Sequence, residues 1–451
     1  LFRGGWPKRL IAAAVSIPIL IALGQWGDDG HEYLSLYYRY TTVKKQELTE
    51  LPLTDNERIH PLNSIRSLAF EAMNETETPS IPNFVRIGKE YRWTLAIEPA
   101  YPIPKTFNGI REVLSLPATT PSPSFSRERR MKVSLPVGES LLFSRNSATA
   151  TIKTFNIWRY LNYQPSGAVY LTDDKGEWVV VVPLIRWKGL FFPRPEFGGV
   201  QLIRQTEETA SDLTRLLFLG AGKWIAPEKT SQYPFLSGQN VMPYEVSRYV
   251  AHSFRFQEGF LSPLPWYHRG DIRIPDMEDD LNEQPFATYF RIPERKGILY
   301  HYFALEPFDP DKQGLNTSLF IPADGSGPVY FYRHFSRGET LTGVSAIKPK
   351  VMESRKMYTW EWHHPVEHRP FIKEIGGKKR FFWLTTVITM KSKAKGSEKK
   401  FISGAIPELV ITDAANNFSV WVNALTPPDK WIDEIRKGFS PVWDDNKKPT
   451  K

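Results

Sequence analysis

The sequence predicts a mainly β chain with some helix: one N-terminal transmembrane helix, then two related β-rich domains, sandwich- or barrel-like, each preceded by a helix. Three observations predict it. An uncharged run extends from Leu10 to Trp26. From about residue 80, short β-type segments alternate with Gly, Pro and Asp turns. A ten-residue block near residue 93 recurs near residue 301, an offset of 301 − 93 = 208.

The chain has 451 residues, enough for two or three domains, and its 41% apolar share excludes global disorder. It contains no cysteine, which removes disulfide scaffolds, thiolate-held zinc, iron–sulfur clusters and thiol nucleophiles. Lys and Arg total 58 against 49 Asp and Glu, and the resulting +9 is spread along the chain. A nucleic-acid binder gathers its cations on one face, so no nucleic-acid partner is expected.

The anchor comes first. Arg3, Lys8 and Arg9 precede the uncharged run, and Trp6 and Trp26 bracket it. About twenty helical residues span roughly 30 Å, the hydrocarbon thickness of a bilayer, and indoles favour the interface at each end. Pro18 costs one helix hydrogen bond, which membrane helices tolerate. The basic start and the small residues Ala22 and Gly24 also fit a cleaved signal peptide, and a buried soluble helix is a third reading. An uncleaved signal-anchor is the expectation, with Trp6, Arg9, Pro18 and Trp26 as its anchor residues. The cations lie before the segment and Asp28, Asp29 and Glu32 after it. The N-terminus is therefore expected in the cytoplasm and the bulk outside it, most simply at a bacterial inner membrane facing the periplasm.

The organisation expected along the chain is a cytoplasmic stub and anchor over 1–26, a polar juxtamembrane connector over 27–60, and a first helix-plus-β domain over 61–205. An inter-domain segment over 206–240, a second domain over 241–425 and a C-terminal tail over 426–451 follow. Tyr33, Tyr37, Tyr38 and Tyr40 in the connector are partner-contact candidates, because one end of a tyrosine is apolar and the other wet. Pro61 opens a helix whose apolar residues recur until Pro79. Strands are expected at Phe84–Ile87, Tyr91–Ile97, Lys132–Leu135, Ala150–Phe155, Ala168–Leu171, Trp178–Val182 and Val200–Ile203, with a Pro- and Ser-rich loop from Pro99 to Ser126. Helices are expected at Ala210–Phe218 and Tyr244–Phe256.

The repeat aligns Trp93–Pro102 with His301–Pro310, so that Ala96, Glu98, Pro99 and Pro102 meet Ala304, Glu306, Pro307 and Pro310. Phe84–Ile87 parallels Tyr289–Ile292, Gly138–Leu141 parallels Gly338–Leu341, Trp178–Ile185 falls near Trp383–Val387, and Val200–Ile203 near Leu409–Thr412. Proline cannot donate to a β ladder, so each copy leaves its sheet at Glu-Pro. Glu98 and Glu306 are expected to be corner residues that bond neighbouring backbone N–H groups.

The densest ligand cluster is Trp360–His368, where His363, His364 and His368 are candidate metal ligands. Pro365 breaks a helix through this stretch, so a turn between aromatic strands competes with a metal site. Asp309–Gly314 starts like a calcium loop but has Phe320 where the closing Glu belongs. The lysines flanking Phe381–Met390 suit a hairpin protected from edge-to-edge association. Asp276, Glu278, Asp279, Asp280 and Glu283 read as a solvated loop. No catalytic or cofactor fingerprint is present, and no cofactor is expected.

Without a catalytic constellation, and with 14 Trp, 19 Tyr and 28 Phe available for interfaces, the expected role is non-enzymatic. The chain reads as a membrane-anchored extracytoplasmic scaffold or accessory subunit of a larger assembly. Its partners are membrane lipid through the N-terminal helix and other membrane or envelope protein subunits. The alternatives are a glycan-binding or glycan-processing envelope protein, using Glu98 with Glu306 or Glu361 with Glu367, and a metal-dependent enzyme using the histidines.

Overall fold

The computed structural model describes residues 30–119, 129–189, 193–205, 219–264, 266–277, 282–295, 297–309, 311–327, 329–336, 338–392, 399–401 and 407–444. The described residues are mainly β and form four sheets. Helix α1 (30–42) and strands β1 (Lys44–Glu47) and β2 (Leu53–Asp55) lead into a first series. That series is α2 (Leu62–Ala72), β3 (Glu77–Pro79), β4 (Asn83–Ile87), β5 (Glu90–Pro99), α3 (Pro102–Phe107), β6 (Ile110–Pro117), β7 (Arg130–Leu135), α4 (Ser147–Ile152), α5 (Ile157–Asn162), β8 (Tyr163–Pro165), β9 (Val169–Thr172), β10 (Trp178–Lys188), β11 (Arg194–Arg204) and β12 (Lys223–Ile225). The second series is α6 (Tyr244–Ser253), β13 (Ile272–Arg273), β14 (Phe286–Arg291), β15 (Leu299–Pro307), β16 (Thr317–Pro322), β17 (Val329–His334), α7 (Ile347–Ser354), β18 (His363–Ile375), β19 (Lys378–Ser392), β20 (Lys399–Phe401), β21 (Glu408–Asp413), β22 (Ser419–Val422) and α8 (Trp431–Asp444).

The two series pair their strands alike. In the first, β3 and β4 both pair with β5, which continues to β6 and β7. In the second, β13 and β14 both pair with β15, which continues to β16 and β17. Thr78 stands opposite Glu98 and Arg273 opposite Glu306, so the two Glu-Pro strand ends occupy the same place in their sheets. A second sheet follows in each series. In one, β10 lies between β9 and β11; in the other, β19 lies between β18 and β21.

Apolar packing joins the sheets of each series. Ala96, Val113 and Leu135 of the first sheet meet Tyr170, Val180, Val182 and Ile203 of the second. Tyr302, Phe320 and Phe331 likewise meet Ile372, Trp383 and Val410. A third cluster joins the two series, where Ile65 and Ala69 of α2 and Trp93 of β5 pack with Ala287 and Leu299.

Several expectations change. The stretch 27–60 is not a polar connector in its described part. β1 pairs with β17 and β2 with β14, so residues 44–55 complete the second series' sheet at both edges. The 426–451 tail is not a tail up to residue 444: Trp431 and Ile435 of α8 are fully buried against Phe371, Phe382 and Ile411. Part of the 206–240 segment belongs to the first series, because β12 pairs with β11. Ala150–Phe155, expected as a strand, begins within α4, since Asn146 accepts the Thr149 N–H at 3.0 Å and caps a helix there. The Pro99–Ser126 loop contains α3 and β6, whose apolar residues the flanking prolines had masked. The cationic segments lie at opposite ends of β19: Lys378–Arg380 begin it, while Lys391 pairs with Lys400 at its far end. The predicted helix Ala210–Phe218 lies outside the described residues.

Candidate functional site

The cleft between the two series is built around a strap, residues 53–62, that the second series grips along its length. The Ile372 N–H donates to Thr54 Oγ1 at 2.9 Å, Lys373 Nζ to Thr54 O at 2.8 Å, and Arg369 to Arg58 O at 2.7 Å. Lys373 also pairs with Glu57 at 2.6 Å. The strap delivers Arg58 to Glu367, a pair 2.8 Å apart with both side chains buried. Glu367 stands at a β-bulge with φ +48°, where two residues oppose fewer on the partner strand and a side chain is re-aimed. The re-aimed carboxylate accepts the Leu62 N–H at 2.8 Å, at the first turn of α2. Pro61 offers that helix no side-chain cap, so a residue of the other series supplies it.

A cavity of about 360 Å³ opens beside this pair. The first series lines it with Asn83, Phe84, Trp93, Glu139 and Ser166, and the second with Asn240, Tyr244, Arg248, Glu283 and Glu367. The Arg58 guanidinium lies over the Phe84 and Trp93 rings, at 5.5 and 5.3 Å. Arg248 and Glu283 pair at 3.1 Å nearer solvent. Glu139 has no cationic partner within salt-bridge distance among the described residues; its oxygens accept the Ile81 N–H at 3.1 Å and the Ala168 N–H at 2.9 Å. Burial pushes its carboxyl up to about 7, and the nearby Glu98 adds to the shift. The cleft therefore holds two ion pairs and one carboxyl that exchanges its proton near neutrality, beside an aromatic wall.

Glu98 and Glu306 hold the corners. Glu98 accepts the N–H groups of Glu139 at 2.6 Å and Ser140 at 2.8 Å. Glu306 accepts the Ser345 N–H at 2.9 Å and the Ser345 hydroxyl. Both carboxylates are buried. The loops they hold start at Gly138 and Gly343, where an added Cβ would lie 2.5 Å from Glu98 Oε1 and 2.5 Å from Glu306 Cδ respectively. The counterpart of Gly138 is thus Gly343 and not Gly338, a five-residue correction to the repeat alignment. The carboxylate pairs considered for glycan cleavage do not form. Glu98 and Glu306 serve separate corners, Glu361 is exposed, and Glu367 is committed to Arg58.

The histidine cluster is divided. His363 and His364 are successive residues of β18, so they face opposite sides of the strand. The bulge then turns His368 into the core, against Thr385 Oγ1 at 2.9 Å. His363 bonds Thr359 O at 2.9 Å and packs on Tyr358. Among the described residues, no group of three or more His, Cys, Asp or Glu is placed to hold a metal ion. Asp309 is half-buried and pairs with Lys312 at 3.1 Å.

Three of the four connector tyrosines are engaged within the chain. Tyr33 and Tyr37 pack on Phe256 and Phe260, and Tyr40 on Phe254. Tyr38 stays exposed, with the Arg194 guanidinium over its ring at 4.1 Å. Trp6, Arg9, Pro18 and Trp26 lie outside the described residues, and no described helix is long and apolar enough to cross a membrane.

The cleft residues Arg58, Glu139, Glu245 and Arg248 were not sequence candidates. They come from three separate segments, Glu245 and Arg248 both lining the cavity from α6, and only Glu139 carries a signal, through its place in the repeated Gly-Glu-Ser-Leu block. Its counterpart at the second corner is Val344, so the two copies diverge at the position that faces the cleft. Comparison with protein-family models, with curated proteins and with solved structures finds no match to this chain.

Proposed function

We propose that this protein is a membrane-anchored extracytoplasmic scaffold, a non-enzymatic subunit of a larger assembly, formed from two duplicated helix-plus-β domains and acting through protein–protein contacts. The observation that carries the reading is an apolar patch on the first series. Ile103 and Phe107 of α3 are 75% and 60% exposed, and the turn at Leu142 and Phe143 bonds back to α3 and presents two more apolar side chains. Contiguous exposed apolar surface of this kind marks an interface. The patch is built on the Glu98 corner, where the backbone is held by buried hydrogen bonds, so it is presented on a fixed element. The anchor at Leu10–Trp26 keeps this surface near other membrane subunits.

The test is a photo-crosslinking amino acid at position 103 of the full chain in its native membrane. The scaffold reading expects one discrete heteromeric adduct that disappears in a Phe107→Asp background. A chain that gives no adduct and leaves mild detergent as a clean monomer contradicts it.

The cleft favours a second reading, a site for a polar ligand such as a glycan. It is supported by the exchangeable proton on Glu139 beside Trp93 and Phe84. Oligosaccharide-induced stabilisation that is lost in Glu139→Gln would support it; an unchanged melting temperature across such sugars would count against it.

A further inference from the structure

We infer that one end of the molecule lies against the bilayer that holds the apolar segment, with side chains from α1, the β10–β11 end and the loop after Phe256 entering the headgroup region. The inference rests on the anchoring reading above, and it assigns the surface that the anchored body turns to lipid.

Chain reach fixes which end is concerned. Three residues stand between Trp26 and Gly30, so the two Cα atoms, four residue steps apart, lie at most about 14 Å from each other. The first turns of α1 are therefore held close to the point where the chain leaves the membrane. Contacts within the chain identify what surrounds those turns. Ser35 Oγ donates to Pro193 O at 3.5 Å, and Arg194 stacks on Tyr38. This places the end of β10, at Trp187 and Lys188, and the start of β11 beside α1. On another side of α1, Tyr33 and Tyr37 pack on Phe260, which leads into the loop carrying Leu261 and Trp266. Helix α5 also lies toward the β10 end, because Arg186 pairs with Tyr163, the residue that follows α5.

The chemistry of these segments is interfacial. Trp158 and Leu161 of α5 are 73% and 65% exposed, and Trp266 and Leu261 are 74% and 58% exposed. Leu34 and Tyr38 on α1 and Trp187 at the β10 end are also exposed. Tryptophan and tyrosine concentrate at headgroup depth, and Lys and Arg extend from there toward phosphate. Arg186 and Lys188 are exposed among these rings. The acidic groups nearby are Asp28 and Asp29, which precede α1 in the chain, with Glu32, Glu196 and Glu258; Glu196 is taken up by Arg39 at 3.4 Å and Lys188 at 3.5 Å, and Arg186 and Arg194 offset the others. The face is thus close to neutral and driven by apolar insertion, which suits a bilayer surface of ordinary composition. A protein partner would have to fit between this face and a membrane no more than a few residues away.

The absence of cysteine makes the test clean. Full-length chain carrying a single nitroxide at Leu161→Cys, Leu261→Cys, Ala13→Cys or Lys175→Cys is reconstituted into phosphatidylethanolamine–phosphatidylglycerol vesicles. Collision rates with oxygen, which concentrates in lipid, and with a water-soluble nickel chelate are read by electron paramagnetic resonance. Lys175 is exposed in the turn at the opposite end of β10, about 36 Å away at roughly 3.3 Å per residue over eleven residues. The inference expects a severalfold higher oxygen-to-nickel ratio at 161 and 261 than at 175. Labels at 161 and 261 as open to nickel as 175, or shielded from both reagents as a protein contact would shield them, overturn it while a lipid-protected label at 13 leaves the anchor standing. A label at 13 open to nickel removes the anchoring reading itself.

Discussion

Adding one methyl group at the second corner should break it, and should do so through one carboxylate. In Gly343→Ala the new Cβ would stand 2.5 Å from Glu306 Cδ and 2.9 Å from Cγ, well inside contact distance. The loop has little room to move, because the Thr342 N–H donates to Ala414 O at 2.7 Å and the Gly343 N–H to Gln313 O at 3.0 Å. Glu306 must swing away and give up the Ser345 N–H and hydroxyl. Hydrogen bonds to a charged group are worth about 1.5–3 kcal/mol each, so the loss should be about 3–5 kcal/mol after partial relaxation. Glu306→Ala should cost a similar amount by itself. With the side chain gone, the three atoms nearest the methyl go with it, so Gly343→Ala should add little in a Glu306→Ala background. The assay is urea unfolding in detergent followed by tryptophan fluorescence. Trp383 is a local reporter, since its indole donates to Thr342 O at 2.9 Å. The cycle should give a coupling of about 2 kcal/mol or more. At the first corner the coupling between Gly138 and Glu98 should be smaller, because a Cβ on Gly138 also meets Ile110 Cδ1 at 2.7 Å, a contact that removing Glu98 leaves in place. Costs that simply add, to within about 0.5 kcal/mol, would refute the carboxylate clamp.

Two further outcomes follow from the same contacts. Burial raises the Glu139 carboxyl from 4.5 to about 7, so as pH rises through that window the unfolded chain releases its proton first and folded stability falls. The loss should reach up to about 3 kcal/mol by pH 8 and should flatten in Glu139→Gln; equal pH slopes in the two proteins would contradict the assignment. Trp431→Ala should cost about 3–5 kcal/mol in the same unfolding assay, because the indole is fully buried in the core; a change under about 1 kcal/mol would mean that α8 is not part of the fold.

The β content, the start of α2 at Pro61 and the role of Glu98 and Glu306 were legible in the sequence, each for a local reason. Alternating apolar residues mark a strand wherever one face is buried, and Glu-Pro marks the point where pairing must stop. Ala150-Thr-Ile reads as the start of a strand because β-branched residues favour strands, while the capping Asn146 stands outside the apolar pattern. The strap was illegible for a different reason. Thr54, Glu57 and Arg58 form a polar stretch whose partners, Ile372, Lys373 and Glu367, lie more than 300 positions away. The cleft shares that property, since its ion pair joins two series and exists only when they meet. The histidine cluster shows the converse. Density along the chain suggested convergence, and strand alternation with one bulge dispersed it.

The central claim, a body held outside the cytoplasm by an N-terminal anchor, is tested most directly with a membrane-impermeant maleimide on intact cells expressing full-length Lys175→Cys. The parent chain has no cysteine and sets the background to zero. The account predicts labelling of membrane-bound protein from outside the inner membrane before any lysis. Labelling only after the cells are broken, or recovery of the labelled chain in the soluble fraction, would contradict it.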